Sequence, residues 1–168
     1  MAPMRTTIIF ALLLVTSCVL SAADCAARAI DVPNSLQVTD VVTGWFDAGI
    51  VGGKNKLVPS MSFRLKNVSA EDIKGVQVML SFRLVNEMDK EWGSAYAKAI
   101  DERGLKAGEA TDALVLRCAM GYTGEQARID MLRHRQFVDA KVQMFLKHGA
   151  QPWVPMGERV VARQLLTR

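Results

Sequence analysis

The chain has 168 residues, the length of one ordinary domain, half of them apolar and 23% charged, with 5 prolines and 12 glycines. That composition excludes a largely disordered, collagenous or disulfide-dense chain. Lys plus Arg (21) exceeds Asp plus Glu (17) by only +4, scattered and without a long basic run, which gives no footprint for nucleic acid, while 3 cysteines and 2 histidines are too few for a disulfide scaffold or a multi-histidine metal centre.

Arg5 is the one charge before Asp24, and a mostly apolar run from Ile8 to Leu20 follows it, ending in small Ser21, Ala22 and Ala23. A cation, an apolar stretch and small residues in that order are the three regions of a secretory signal. The run is short against the roughly 20 residues a bilayer crossing needs. Two processing routes fit. A cut ahead of Asp24 removes residues 1–23 and releases a soluble periplasmic or secreted protein. Alternatively, Val15-Thr16-Ser17-Cys18 resembles a bacterial lipobox, which implies removal of residues 1–17 and diacylglycerol on Cys18. Acylation at the new N-terminus would then tether the domain to the membrane. With Cys18 lipidated, Cys25 and Cys118 remain, and an oxidising compartment permits a bridge between them. Unbridged, Cys118 reads as a small buried apolar side chain.

Residues 24–35 hold no period and contain Pro33-Asn34, which predicts a flexible lead-in or tether. From Leu36 onward the dominant period is two, so the segments read as strands. Leu36–Phe46 is β-branched and ends before Asp47-Ala48-Gly49. Ser60–Asn67 alternates, with Met61, Phe63 and Leu65 on one face. Val76, Val78, Leu80, Phe82 and Leu84 define the longest alternation. Trp92–Ile100 is a fourth strand and Thr111–Cys118 a fifth. Thr123 and Gln126 have the spacing of a capping box, predicting a short helix to about Arg135 with Ala127, Met131 and His134 on one face. Phe137–Lys147 follows with Val138, Ala140, Val142, Met144 and Leu146 inward, then a loop over 149–155 and a last strand over 158–166. About seven strands with one short helix before the sixth, each strand apolar on one side and polar on the other, predict a mostly-β, immunoglobulin-like antiparallel sandwich over residues 36–168.

Phe63-Arg-Leu-Lys-Asn67, the long strand from Val76 to Val85 and the turn Leu105-Lys-Ala-Gly-Glu109 together resemble extracytoplasmic immunoglobulin-like modules of the FxLYD and late-embryogenesis-abundant-like kind. In those families an Asn ends one strand and a comparable Gly-Glu turn introduces another. The resemblance implies a small accessory domain, often on a lipoprotein, with no shared catalytic residues.

A search for chemistry yields little. Ala48–Lys54 is glycine-rich, but a phosphate loop needs glycine at position 48 and Ser or Thr at position 55, where this chain has Ala48 and Asn55. His134 and His148 are 14 residues apart with no accompanying ligand motif. The carboxylate pairs Glu71-Asp72, Asp101-Glu102 and Asp89/Glu91 fall in turns beside Lys or Arg. No catalytic, metal or cofactor-binding set emerges. Tyr122, Arg128, Arg133, His134 and Arg135, with Met131 among them, are residue types enriched at protein interfaces and form the candidate interaction surface. The same cations could meet anionic lipid headgroups. Trp45, Trp92 and Trp153 are expected at strand or loop edges, rings packed and N–H groups wet.

The expectation is therefore an exported, lipid-anchored envelope protein acting without catalysis, as an accessory or protein-interaction module. The alternative is a small-ligand or lipid-binding sandwich, whose apolar cavity the 9 methionines would line.

Overall fold

The computed structural model describes residues 29–166. The signal segment, the lipobox with Cys18, and Cys25 all lie outside the described residues. A single helical turn, α1 (Val32–Ser35), opens the fold with Pro33 at its start, and it buries Val32. The end of the expected lead-in is thus packed against the domain.

Strands β1 (Leu36–Val51) and β2 (Lys54–Asn67) form one long antiparallel hairpin. Both are longer than the alternation suggests. Asp47-Ala48-Gly49 reads as a strand end, yet it is a bulge: pairing slips between Asp47 and Ile50, and the Gly49 N–H donates to Asp47 Oδ1 at 2.9 Å. Gly49 absorbs the kink at φ +83°. Val51 then pairs with Lys54, leaving Gly52 (φ +57°) and Gly53 (φ +77°) as a two-residue turn. Positive φ at both central positions is the type I′ geometry that matches strand twist. The glycine run is the tip of a hairpin, not a phosphate cradle.

Next come β3 (Val76–Leu84), β4 (Gly93–Ile100), β5 (Leu114–Arg117), β6 (Tyr122–Gly124), α2 (Arg128–Arg133), β7 (Ala140–His148), β8 (Val154–Val160) and β9 (Leu165–Leu166). One sheet has the order β5-β2-β1-β9, with β6 also pairing β2; the other runs β4-β3-β7-β8. All the pairings are antiparallel except β1 with β9. The first, second and fifth strands thus face the third and the last long pair, which is an immunoglobulin-like sandwich order with the fourth strand placed beside the third. Trp45, Phe63, Leu65, Val78, Leu80, Phe82, Val142 and Leu146 fill the space between the sheets. The alternating residues of β2, β3 and β7 point inward as their period requires.

Two segments depart from expectation. Thr123 caps no helix: it lies in β6, opposite Lys56, and α2 begins five residues later behind Ala127 with no side-chain cap. The expected last strand is split. Val161 turns into the core, the chain crosses between the sheets, and Leu165–Leu166 pair parallel with Trp45–Phe46. Thr43 and Gln164 hold that crossing. Thr43 Oγ1 donates to Val160 O and accepts from Ala162 N, both at 3.1 Å, and Gln164 Nε2 donates to Thr43 O at 2.6 Å.

Candidate functional site

The pairing registers give the sandwich two distinct ends. Leu36 opposite Asn67, and Val76 opposite both Ile100 and His148, put α1 and the turns after β2, β4 and β7 at the end where the described chain enters. The 51–54 hairpin, the turn after β3 and the 118–139 segment lie at the other end. The sixteen residues of β1 separate the two by on the order of 50 Å.

Asn67 organises the entry end. It is fully buried, and its Nδ2 donates to Glu71 O (2.8 Å) and Leu105 O (2.9 Å) while Oδ1 accepts from Ser69 N (3.0 Å) and Ser69 Oγ (2.7 Å). Its backbone carbonyl accepts from Gly108 N at 3.0 Å. The end of β2 and the Leu105–Glu109 turn are therefore tied through one amide. His148 is buried at this end, its Nδ1 3.1 Å from Gln151 Oε1, and Gln151 Nε2 donates to Ile30 O. His134 is at the opposite end, so the two histidines share no site. The carboxylates are spent on turns: Asp101 binds Arg103, Asp72 accepts from Ala107 N, and Glu91 accepts from Ser81 Oγ. No group of three or more metal-ligating side chains occurs among the described residues.

The far end carries the candidate surface. Tyr122 and Phe137 face each other at 4.8 Å, and both contact Trp45, which also packs against Trp92. Trp45 departs from its expected edge position. It is 0% exposed, and its Nε1 has no hydrogen-bond partner among the described residues. Over this cluster opens a groove of about 310 Å³, lined by Tyr122, Gln126, Met131, His134, Gln136 and Phe137. Burial pushes the Tyr122 phenol up from its ordinary value, against the opposing hydrogen bond to Val138 O at 3.3 Å.

The structure brings only part of the expected set together. Tyr122 and His134 share the groove, and Arg133 and Arg135 are exposed beside it with no ion pair among the described residues. Arg128 instead pairs with Asp47 on β1 and holds that carboxyl below its ordinary value. Ala127 and His134 do not share Met131's face. The helix buries Met131 and Leu132, and it stops at His134, whose backbone is extended. Arg163 carries no signal in its local sequence, yet it organises this end. It donates to both carboxylate oxygens of Asp139 (2.6 and 3.2 Å) and to Phe137 O (3.1 Å), fixing the loop that forms the groove's far wall.

A second surface lies outside the four-stranded sheet. The register sets Tyr96 beside Met79, Met79 beside Phe145 and Phe145 beside Pro155, a row across all four strands. Tyr96 is 64% exposed and meets Trp153 at 6.3 Å, with Lys147 over the indole. Met79 and Phe145 stand in the polar phase of their strands' alternation, the one signal that could have exposed this row. Between the sheets, by contrast, a gap of about 150 Å³ among Val38, Val41, Met61, Met144 and Met156 is small beside the roughly 300–1,000 Å³ of ligand pockets.

Cys118 is buried, and burial raises its thiol above the ordinary value. Its Sγ packs so closely on Gly93 that a Cβ there would lie 2.6 Å away. Among the described residues no helix is long and apolar enough to cross a membrane. No protein-family model, curated protein or solved structure matches the chain.

Proposed function

We propose that the protein is an exported module of the bacterial cell envelope, anchored by lipid at Cys18, that binds another protein and acts without catalysis. The observation that carries this reading is the polarity of the sandwich. The chain enters at the end built around Asn67 and His148, whereas the aromatic groove with Arg133, His134 and Arg135 opens at the opposite end. A domain tethered through its N-terminal side presents that groove away from the membrane. Its cations therefore face an acidic protein surface more readily than lipid headgroups. Tyrosine and arginine around a desolvated aromatic floor are the side chains that dominate binding at protein interfaces.

The test uses the full chain in intact envelopes, with a photo-crosslinking residue at position 134 or, as control, at exposed Lys74 beside the entry end. A discrete protein adduct from position 134 and none from position 74 is expected. Lipid adducts from position 134, or equal labelling from both, would overturn the reading. Intact mass of the membrane-extracted protein should show an acylated chain beginning at Cys18; a chain beginning at Asp24 refutes the anchor.

A further inference from the structure

The edges of the two sheets are not alike. Proteins blunt exposed strand edges with prolines, bulges, charges or short strands, since a free edge invites another strand. In the first sheet the outer strands are short: β5 has 4 residues, β6 has 3 and β9 has 2. In the second, β8 carries Pro155, a pairing slip at Gly157 (φ +131°) and the charges of Glu158 and Arg159. β4 is guarded less. It runs eight residues with no proline and a single charge, Lys98, its pairing slips only at Ala99 near its end, and among the described residues its one strand partner is β3. Its Gly93 end is covered by Cys118 and Met120, and among the described residues no strand pairs along its outer side from Ser94 onward.

The row begins at that edge with exposed Tyr96 and continues through half-buried Met79 and Phe145, and a shallow groove of about 250 Å³ between Tyr96, Lys98, Gln77 and Trp153 adjoins it. Cations flank the row. Lys98 and Lys147 lie in register with Gln77 on one side, and on the other, beyond the row of Ser94, Ser81 and Gln143, Arg83 lies opposite Lys141. The nearby carboxylates are already engaged: Glu158 with Lys141, Glu91 with Ser81, and Glu102 with Lys98 at a loose 4.0 Å.

We infer that β4 accepts an extended, acidic segment of a partner protein, which joins the sheet as a fifth strand beyond Ser94–Ile100. Main-chain hydrogen bonds supply affinity in this mode, and alternate side chains supply specificity. Because side chains on one face recur every second residue, an apolar residue set beside Tyr96 puts its acidic neighbour two positions away beside Lys98. Charge disfavours a second copy as the occupant: pairing β4 with itself would bring two faces flanked by Lys and Arg together. The inference goes beyond the far-end groove and does not depend on it, since it concerns a different face.

The probe is a synthetic peptide with the core Thr-Glu-Thr-Phe-Thr-Glu-Thr, titrated into the full chain and followed by amide chemical shifts and hydrogen exchange. Shifts confined to β4 and its β3 neighbours, with slowed exchange along Ser94–Ile100, are expected. The same peptide with lysine for glutamate should bind more weakly, and Lys98→Glu, at an exposed position, should reverse that preference by about fivefold. Tyr96→Ala should weaken both peptides. Absence of binding, shifts elsewhere, or a preference that ignores Lys98→Glu would overturn the proposal. So would protection of β4 that rises with protein concentration alone, which would make the occupant a second copy. Loss of crosslinking at position 134 with peptide binding retained would sink the proposed function and leave this inference standing.

Discussion

Replacing Asn67 by alanine is the sharpest test of how the entry end is held. The substitution removes two donated hydrogen bonds, to Glu71 O and Leu105 O, and two accepted from Ser69. A typical net hydrogen bond contributes about 1 kcal/mol, and a buried acceptor left unpaired costs about 1–3 kcal/mol more. The second charge is small here. Leu105 O keeps the Ile73 N–H at 3.0 Å, and Glu71 O keeps the Ser69 hydroxyl at 3.0 Å. The N–H of Ser69, a partly exposed residue, can turn to water. The two donated bonds and part of those accepted remain, so Asn67→Ala should cost about 2–3 kcal/mol, and Ser69→Ala about 1 kcal/mol. For a chain of this size the first corresponds to a drop in Tm of roughly 6–10 °C. Urea unfolding at fixed m-value measures it. Asn67→Asp should be worse near neutral pH, because a carboxylate oxygen would face the same two carbonyls. Burial beside those acceptors raises that acid's folded pKa above its unfolded value, so its penalty is smallest below the unfolded pKa and grows as pH rises through it. A cost below about 0.5 kcal/mol for Asn67→Ala would refute the assignment of Asn67 as the junction between the two turns.

Three further outcomes follow from particular contacts. Gly52→Val should destabilise by more than about 1 kcal/mol in urea unfolding, because φ there is +57°, whereas Gly52→Asn should be nearly neutral, since the first position of this turn accepts asparagine. Arg163→Lys keeps the charge but cannot reach Asp139 and Phe137 O together. It should lower Tm by a few degrees and speed amide exchange in residues 136–139, read by NMR. Asp47 is held below its ordinary pKa by the Arg128 hydrogen bond first and by the Gly49 N–H second. Its contribution is therefore present above the unfolded carboxylate value near 3.8 and is lost as pH falls through the folded value. With both side chains about one-third exposed, the pair contributes only a few tenths of a kcal/mol, and Arg128→Ala should flatten that acidic limb in pH-dependent melting.

The period-two rhythm made the sandwich legible, because residues such as Phe63, Val78, Leu80 and Val142 could be hidden only by facing one another across two sheets. What misled was punctuation. Asp47-Ala48-Gly49 carries turn residues, yet one hydrogen bond and a left-handed glycine let the strand continue. Thr123 and Gln126 have capping spacing, but three residues of pairing between β6 and β2 outweigh a cap. Val160 and Val161 keep the strand's alternation, but Leu165 and Leu166 pair with β1 in the other sheet, so the final strand breaks between them. Of the candidate surface, the aromatic floor was half readable: Tyr122 was singled out, but Trp45, Trp92 and Phe137 approach it only through long-range pairing. The row of Tyr96, Met79 and Phe145 was hidden for the same reason, since it exists only once three distant strands share a register.

The parallel clip of Leu165–Leu166 onto Trp45–Phe46 sets a timetable for assembly. It joins positions some 120 residues apart, and it borders the tryptophan around which the far-end rings are gathered. A polypeptide delivered N-terminus first, from a ribosome or through a pore, can form its early hairpin long before it can shut this seam. Contacts of such large sequence separation are slow to form. Until the tail arrives, the flank of β1 around Trp45 stands open to solvent and to any chaperone waiting there.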